Sequence, residues 1–312
     1  MAGTNRIPLL AILRSVAIAF ALTGCSSLAT APMATAPISP AHRTAGGSQD
    51  LYIGNIGGGV LLYSTGKNPH EVGDITNELP RVTSVWVDQK GVLYAFTDNR
   101  SYPYETIEEF EAGASSPFFS LILKRYGGLV AADAKQNVYA QGADSRGQQV
   151  IDVYPPGSQS YANQYVVPSF GVESGIDGLA FDSTGALLVG GAAIAHNRQG
   201  QVGAVLRLDT ASGSFVNLNL QKAYGGFIAT DAAGNLYAGG ARVVSIYAPG
   251  ATIPSRFVHT KSTIIGLTAA SDGTLYVATY FGGITVYAPG KDRPKDSFKP
   301  EAQEGGLALG PG

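Results

Sequence analysis

The stretch SDGTLYVATYFGGITVYAPG, Ser271–Gly290, decides how the chain is read. A tight turn leads into an apolar run, a short Gly-rich break, a second apolar run and a Pro-Gly turn. That is the pattern of paired strands joined by turns. AAGNLYAGGARVVSIYAPG (Ala232–Gly250) has the same layout. Working outward, the core of the unit recurs as VWVDQKGVLYAF (Val85–Phe96), VAADAKQNVYAQ (Val130–Gln141), LAFDSTGALLVG (Leu179–Gly190), IATDAAGNLYAG (Ile228–Gly239) and LTAASDGTLYVA (Leu267–Ala278). The residue opening the turn is Asp88, Asp133, Asp182, Asp231 and Ala270, in steps of 45, 49, 49 and 39 residues. A repeat of that length is one supersecondary unit that buries its apolar faces against its neighbours.

A sixth copy starts as GGLALGPG, but the chain stops at Gly312. The missing half stands at the front, as DLYIGN (Asp50–Asn55). If each unit is a small antiparallel sheet, the last strand must pair with the first to leave no open edge, which closes a ring. A linear solenoid would need capping repeats instead, and neither end reads as a cap. A second marker follows each core: LLYSTG (Leu61–Gly66), EEFEAG (Glu108–Gly113), DVYPPG (Asp152–Gly157), LRLDTASG (Leu206–Gly213), SIYAPG (Ser245–Gly250) and TVYAPG (Thr285–Gly290). A weaker strand follows, as in NQYVVP (Asn163–Pro168) and SRFVHT (Ser255–Thr260). The fold expected is all-β: a six-bladed propeller of four-stranded antiparallel blades, with a five- or seven-bladed ring as the alternative.

The D-x-x-G-x-L-Y core followed by V-Y-x-P-G resembles NHL-type and streptogramin-lyase-like propeller repeats over residues 50–312. The resemblance specifies fold far better than function, because propellers host many roles. Gluconolactonase-type propellers hold a divalent metal in the channel with acidic and amide side chains. On the inner strands here, one set of positions reads Trp86, Ala131, Ala180, Ala229 and Thr268, and the alternate set is almost wholly apolar. No ring of carboxylates, His or Asn emerges, so no metal and no cofactor is expected. Streptogramin lyases use a His with an acidic neighbour, and none of His42, His70, His196 or His259 falls in a matching repeat motif. The recurring Tyr52, Tyr94, Tyr139, Tyr237 and Tyr276, and Tyr63, Tyr154, Tyr247 and Tyr287, are expected to pack between blades. The turn Asp residues are expected to hold their hairpins shut.

The N-terminus reads as an export signal. Arg6 and Arg14 flank a start followed by SVAIAFAL (Ser15–Leu22), too short for the roughly 20 residues that span a bilayer. LTGC (Leu22–Cys25) resembles the lipobox of bacterial lipoproteins, which implies lipidation of Cys25, the only cysteine. Ser26 after it implies, in a Gram-negative envelope, the outer membrane, with the domain facing the periplasm or the cell surface. The organisation expected is a signal peptide over 1–24, the lipidated Cys25 with an Ala/Ser/Pro-rich tether over 25–49, and a propeller over 50–312.

Charged residues are 14% of the chain and the net charge is −2, which leaves no basic stripe for nucleic acid. Function is sought where the repeat is interrupted. Three consecutive units carry long second-to-third-strand connections: TDNRSYPYETI (Thr97–Ile107), GADSRGQQV (Gly142–Val150) and GAAIAHNRQGQVGA (Gly191–Ala204). They bring Arg100, Tyr102, Tyr104, Asp144, Arg146, His196, Asn197 and Arg198 to one face, a mixture suited to a protein or glycan surface. The reading is a monomeric, lipid-anchored binding or scaffold module. The alternative is a lyase or hydrolase on that face, with His196 and Asp144 within hydrogen-bond reach.

Overall fold

The computed structural model describes residues 49–76, 79–98, 104–123, 127–170, 175–193, 202–301 and 304–311. Among them, 24 strands form six four-stranded antiparallel sheets, with no helix. The first blade joins β1 (Asp50–Asn55), β2 (Val60–Ser64) and β3 (Glu71–Ile75) to the last strand of the chain. The second holds β4 (Arg81–Val87), β5 (Leu93–Asp98), β6 (Glu105–Phe110) and β7 (Phe119–Leu123). The third holds β8 (Val130–Ala132), β9 (Val138–Ala143), β10 (Gln149–Tyr154) and β11 (Asn163–Val166). The fourth holds β12 (Gly175–Phe181), β13 (Leu187–Ala193), β14 (Val202–Asp209) and β15 (Ser214–Asn217). The fifth holds β16 (Phe227–Thr230), β17 (Leu236–Gly240), β18 (Val243–Tyr247) and β19 (Arg256–His259). The sixth holds β20 (Ile264–Ala269), β21 (Leu275–Thr279), β22 (Gly283–Tyr287) and β23 (Pro294–Phe298). The last strand, β24 (Glu304–Leu309), is the innermost of blade one and pairs with β1 through Leu51↔Leu309, Tyr52↔Ala308 and Ile53↔Leu307.

The inner strands touch in the cyclic order β24, β4, β8, β12, β16, β20 and back to β24. The ring is therefore closed by the two ends of the repeat region, as the split sixth copy implies. One apolar cluster fills each of the six gaps between adjacent blades. The recurring tyrosines belong to these clusters: Tyr94, Tyr237, Tyr247, Tyr276 and Tyr287 are buried, and Tyr139 and Tyr52 pack at their margins. Tyrosine is used here for area, with its hydroxyl led to a hydrogen-bond partner where burial demands one.

The turn motif works as a hydrogen-bond clamp. Asp88 Oδ1 accepts from the amides of Lys90 (2.8 Å) and Val92 (2.9 Å). Asp133 and Asp182 repeat this two and four residues on. Asp133 and Asp231 also take Asn137 Nδ2 and Asn235 Nδ2, each at 2.8 Å, and Tyr237 donates its hydroxyl to Asp231 Oδ2 at 2.9 Å. The third residue after the Asp has positive φ: Gly91, Gly185 and Gly234 supply it without a Cβ penalty, while blade three uses Gln136 at φ 65°. Gln136 turns that conformation to use between blades, donating Nε2 to Asp88 Oδ2 at 3.1 Å.

The strand directions define two faces. The Asp turns and Pro-Gly turns share one; the second-to-third-strand loops and the inter-blade connections share the other. Backbone hydrogen bonds from Gly59 to Leu79, Gly203 to Ala223 and Tyr280 to Thr263 tie these loops to the connections beside them.

Candidate functional site: the loop face and the central channel

Of the residues expected on the loop face, the structure places three. Tyr104, just before β6, is exposed at 48%. Asp144 and Arg146 lie in the β9–β10 connection, Arg146 exposed and Asp144 half-buried. Asp144 Oδ1 accepts the amides of Arg146 (2.8 Å) and Gln148 (2.9 Å), and Gly147 has φ 75°. Asp144 thus builds on this face the same clamp that the turn Asp residues build on the other. Arg100, Tyr102, His196, Asn197 and Arg198 lie outside the described residues, as does Cys25. The His196–Asp144 pairing therefore also lies outside them.

The most exposed large apolar side chains among the described residues are on this face, in a loop read from sequence as merely short. Phe281 is 80% and Tyr280 65% exposed, at the tip between β21 and β22. Their rings meet edge-on with centroids 4.7 Å apart. Gly283, with φ 67°, turns the chain back under them, and a side chain there would collide with Phe298 and Lys299. The two adjacent aromatics were visible in the sequence, but their exposure depends on what the neighbouring connections leave uncovered. Length alone did not flag it.

Between blades two and three the same face carries Glu105. It accepts the Gly127 amide at 2.8 Å, and burial pushes its carboxyl up to about 7. Nearby, Arg81 Nε lies 3.6 Å from Asp98 Oδ2.

The inner strands enclose a central cavity of about 260 Å³. Five residues before each turn-opening position stand Thr83, Asp177, Ile265 and Gly305 in the inner strands, and Gly128 and Gly226 just ahead of β8 and β16. The glycines let neighbouring strands approach closely: a methyl group at Gly226 would overlap the Asp177 carboxylate, and one at Gly178 would come within 2.7 Å of the Gly226 carbonyl oxygen. Bulges between Val82 and Ser84, Ile176 and Gly178, and Ile264 and Gly266 shift the inward alternation partway along three inner strands. The simple two-face division of these strands from sequence therefore breaks at that point, and it passed over Asp177. Among the described residues Asp177 is the only charged side chain lining the cavity, and burial raises its carboxyl to about 6. Toward the turn end, Trp86 lines the cavity and meets Phe181 edge-on at 5.7 Å, and Tyr139 meets Phe181 at 5.3 Å. Among the described residues no group of three or more His, Cys, Asp or Glu side chains is placed to hold a metal ion.

Six four-stranded blades closed around a channel make the chain a β-propeller. No protein-family model matches it, and no curated protein matches its sequence. Solved structures share the fold at low identity. A protein from Lactobacillus plantarum aligns over 84% of this chain and 99% of its own, with 13% identity and a TM-score of 0.60. Hydrazine synthase of Kuenenia stuttgartiensis aligns over 77% of this chain and 80% of its own, with 16% identity and a TM-score of 0.56. At these identities the likeness is one of fold alone.

Proposed function

We propose that the protein is a lipid-anchored, extracytoplasmic binding module that presents its loop face to a protein or glycan partner in the cell envelope. The observation that carries this reading is the Tyr280–Phe281 pair, held outward on the loop face beside a chain otherwise well supplied with buried aromatics. Exposed aromatic side chains with few rotatable bonds are effective anchors for a partner surface or a sugar ring. Tyr104 and Arg146 add an aromatic and a cation on the same face. The path of the chain supports the arrangement as well. Gln49 and Asp50 enter blade one on the opposite face, beside the Asp turns, since β1 runs from that face toward the loops. Attachment through Cys25 then leaves the loop face unobstructed by the chain's own entry point.

The test has two arms. Metabolic labelling with a palmitate analogue, followed by fractionation, is expected to place wild type in the membrane with label, and Cys25→Ser in the soluble fraction without it. Crosslinking pull-downs from envelope fractions and a glycan array then compare wild type with Tyr280→Ser/Phe281→Ser, and with a variant whose three long loops are cut to the length of GGARV. A specific partner retained by wild type and lost by either variant carries the reading. Identical capture by all three sinks it.

A further inference from the structure

We infer that the central channel is a binding site for a small organic cation, an alkylammonium group paired with the Asp177 carboxylate against an aromatic and aliphatic wall. The site is separate from the loop-face loops and centres on one carboxylate. Asp177 sits near the start of β12, and among the described residues no backbone or side-chain donor hydrogen-bonds its carboxylate. Half-buried in the cavity, it has lost part of its hydration, and no described residue supplies a counter-charge, so a cation entering the cavity gains a partner there. Its partial burial raises its carboxyl to about 6, still ionised at neutral pH.

The rest of the wall narrows the chemistry. Leu179, Ile228, Leu267 and Leu307 present aliphatic surface, and Trp86 and Phe227 present aromatic rings, which attract cations through their faces. The hydroxyls of Thr83 and Thr230 donate to the carbonyls of Gly128 (3.4 Å) and Phe181 (2.7 Å), so they already have partners. A hard divalent ion asks for six or more oxygen ligands, and Asp177 is the one carboxylate among the described residues of a wall that mixes hydroxyls with aliphatic and aromatic side chains. An anion meets Asp177 as a like charge. A neutral apolar molecule would leave the carboxylate desolvated and unpaired. An ammonium head on a short hydrocarbon tail satisfies both the charge and the wall, and about 260 Å³ suits a ligand smaller than a drug-sized molecule.

Trp86 is the only tryptophan of the chain and lines this cavity, so its emission reports occupancy directly. Full-length protein in detergent is titrated at pH 7.5 and constant ionic strength with n-butylammonium, n-butanol and n-butyrate. Asp177→Asn is measured alongside, its folding checked by a thermal melt. The expected result is a saturable change in Trp86 emission with n-butylammonium, with binding weaker by about tenfold or more for n-butanol and for Asp177→Asn. No saturable change, or equal binding of n-butylammonium and n-butanol by wild type, overturns the inference even if the variant does not fold. Equal n-butylammonium binding by a folded Asp177→Asn overturns it too.

Discussion

Glu109 shows what a single buried charge does to this fold. It is buried on β6 across from Tyr94, and burial, then the negative charges of Asp88 and Glu108, push its carboxyl from 4.5 up to about 7. In that interval the folded state holds a proton that the unfolded chain has released, so stability falls as pH rises from about 4.5 to 7. Glu109→Gln removes the titration. It is expected to gain about 1–3 kcal/mol at pH 8 relative to wild type and to flatten the stability profile between pH 5 and 8, read by urea denaturation at each pH. Asp177 follows the same sign: its folded value of about 6 means that acidification below 6 neutralises it. Binding of n-butylammonium is therefore expected to weaken between pH 7 and 5, and an unchanged affinity at pH 5 would place the ligand elsewhere. Asp231 is the opposite kind of carboxylate, with its oxygens engaged by Asn235 and Tyr237. Asp231→Ala strands a buried tyrosine hydroxyl and opens the clamp, at a cost of roughly 2–4 kcal/mol. Tyr237→Phe made in that background should cost little more, because the shared bond is already gone; full additivity in the double-mutant cycle would contradict the clamp.

At the scale of elements, each blade is a meander whose hairpins are dictated locally. In blades two to five a turn Asp, a residue of positive φ three places on, and alternating apolar residues on both sides fix register locally; blade six has Ala270 in place of the Asp, and blade one joins β24 to β1 without a turn. That is why six copies were legible from spacing alone, and why the recurring tyrosines read correctly as packing. The loops obey no such rule. Their sequences were visible, but exposure depends on what the neighbouring connection covers. The β21–β22 loop is short and yet holds the most exposed aromatic side chain among the described residues, at a turn where Gly283, with positive φ, packs close against the backbone of Phe298 and Lys299. Tyr280→Ser/Phe281→Ser should leave the thermal midpoint within about 1–2 °C of wild type, since side chains that stay in water contribute little to stability. A large drop would mean that the pair is structural.

For the whole molecule, closure is the decisive event. β24 supplies the innermost strand of blade one, and its pairing with β1 is the link between chain ends that otherwise leaves two sheet edges open. Removing residues 304–312 is expected to expose the β1 edge, broaden the unfolding transition and promote self-association, followed by light scattering during a melt. A sharp transition from a monomer after that deletion would mean that the blades hold the ring without the closing strand. The sequence alone determined the blade, its repetition, its clamp turns and the split blade that closes the ring, because each rests on contacts between residues close along the chain or on a period that repeats. The tertiary structure alone decided that Asp177 stands in a channel with no partner among the described residues and that Tyr280 and Phe281 are left largely exposed. Those facts depend on six inner strands converging from points 39–49 residues or more apart, and on which surfaces the converging blades leave uncovered.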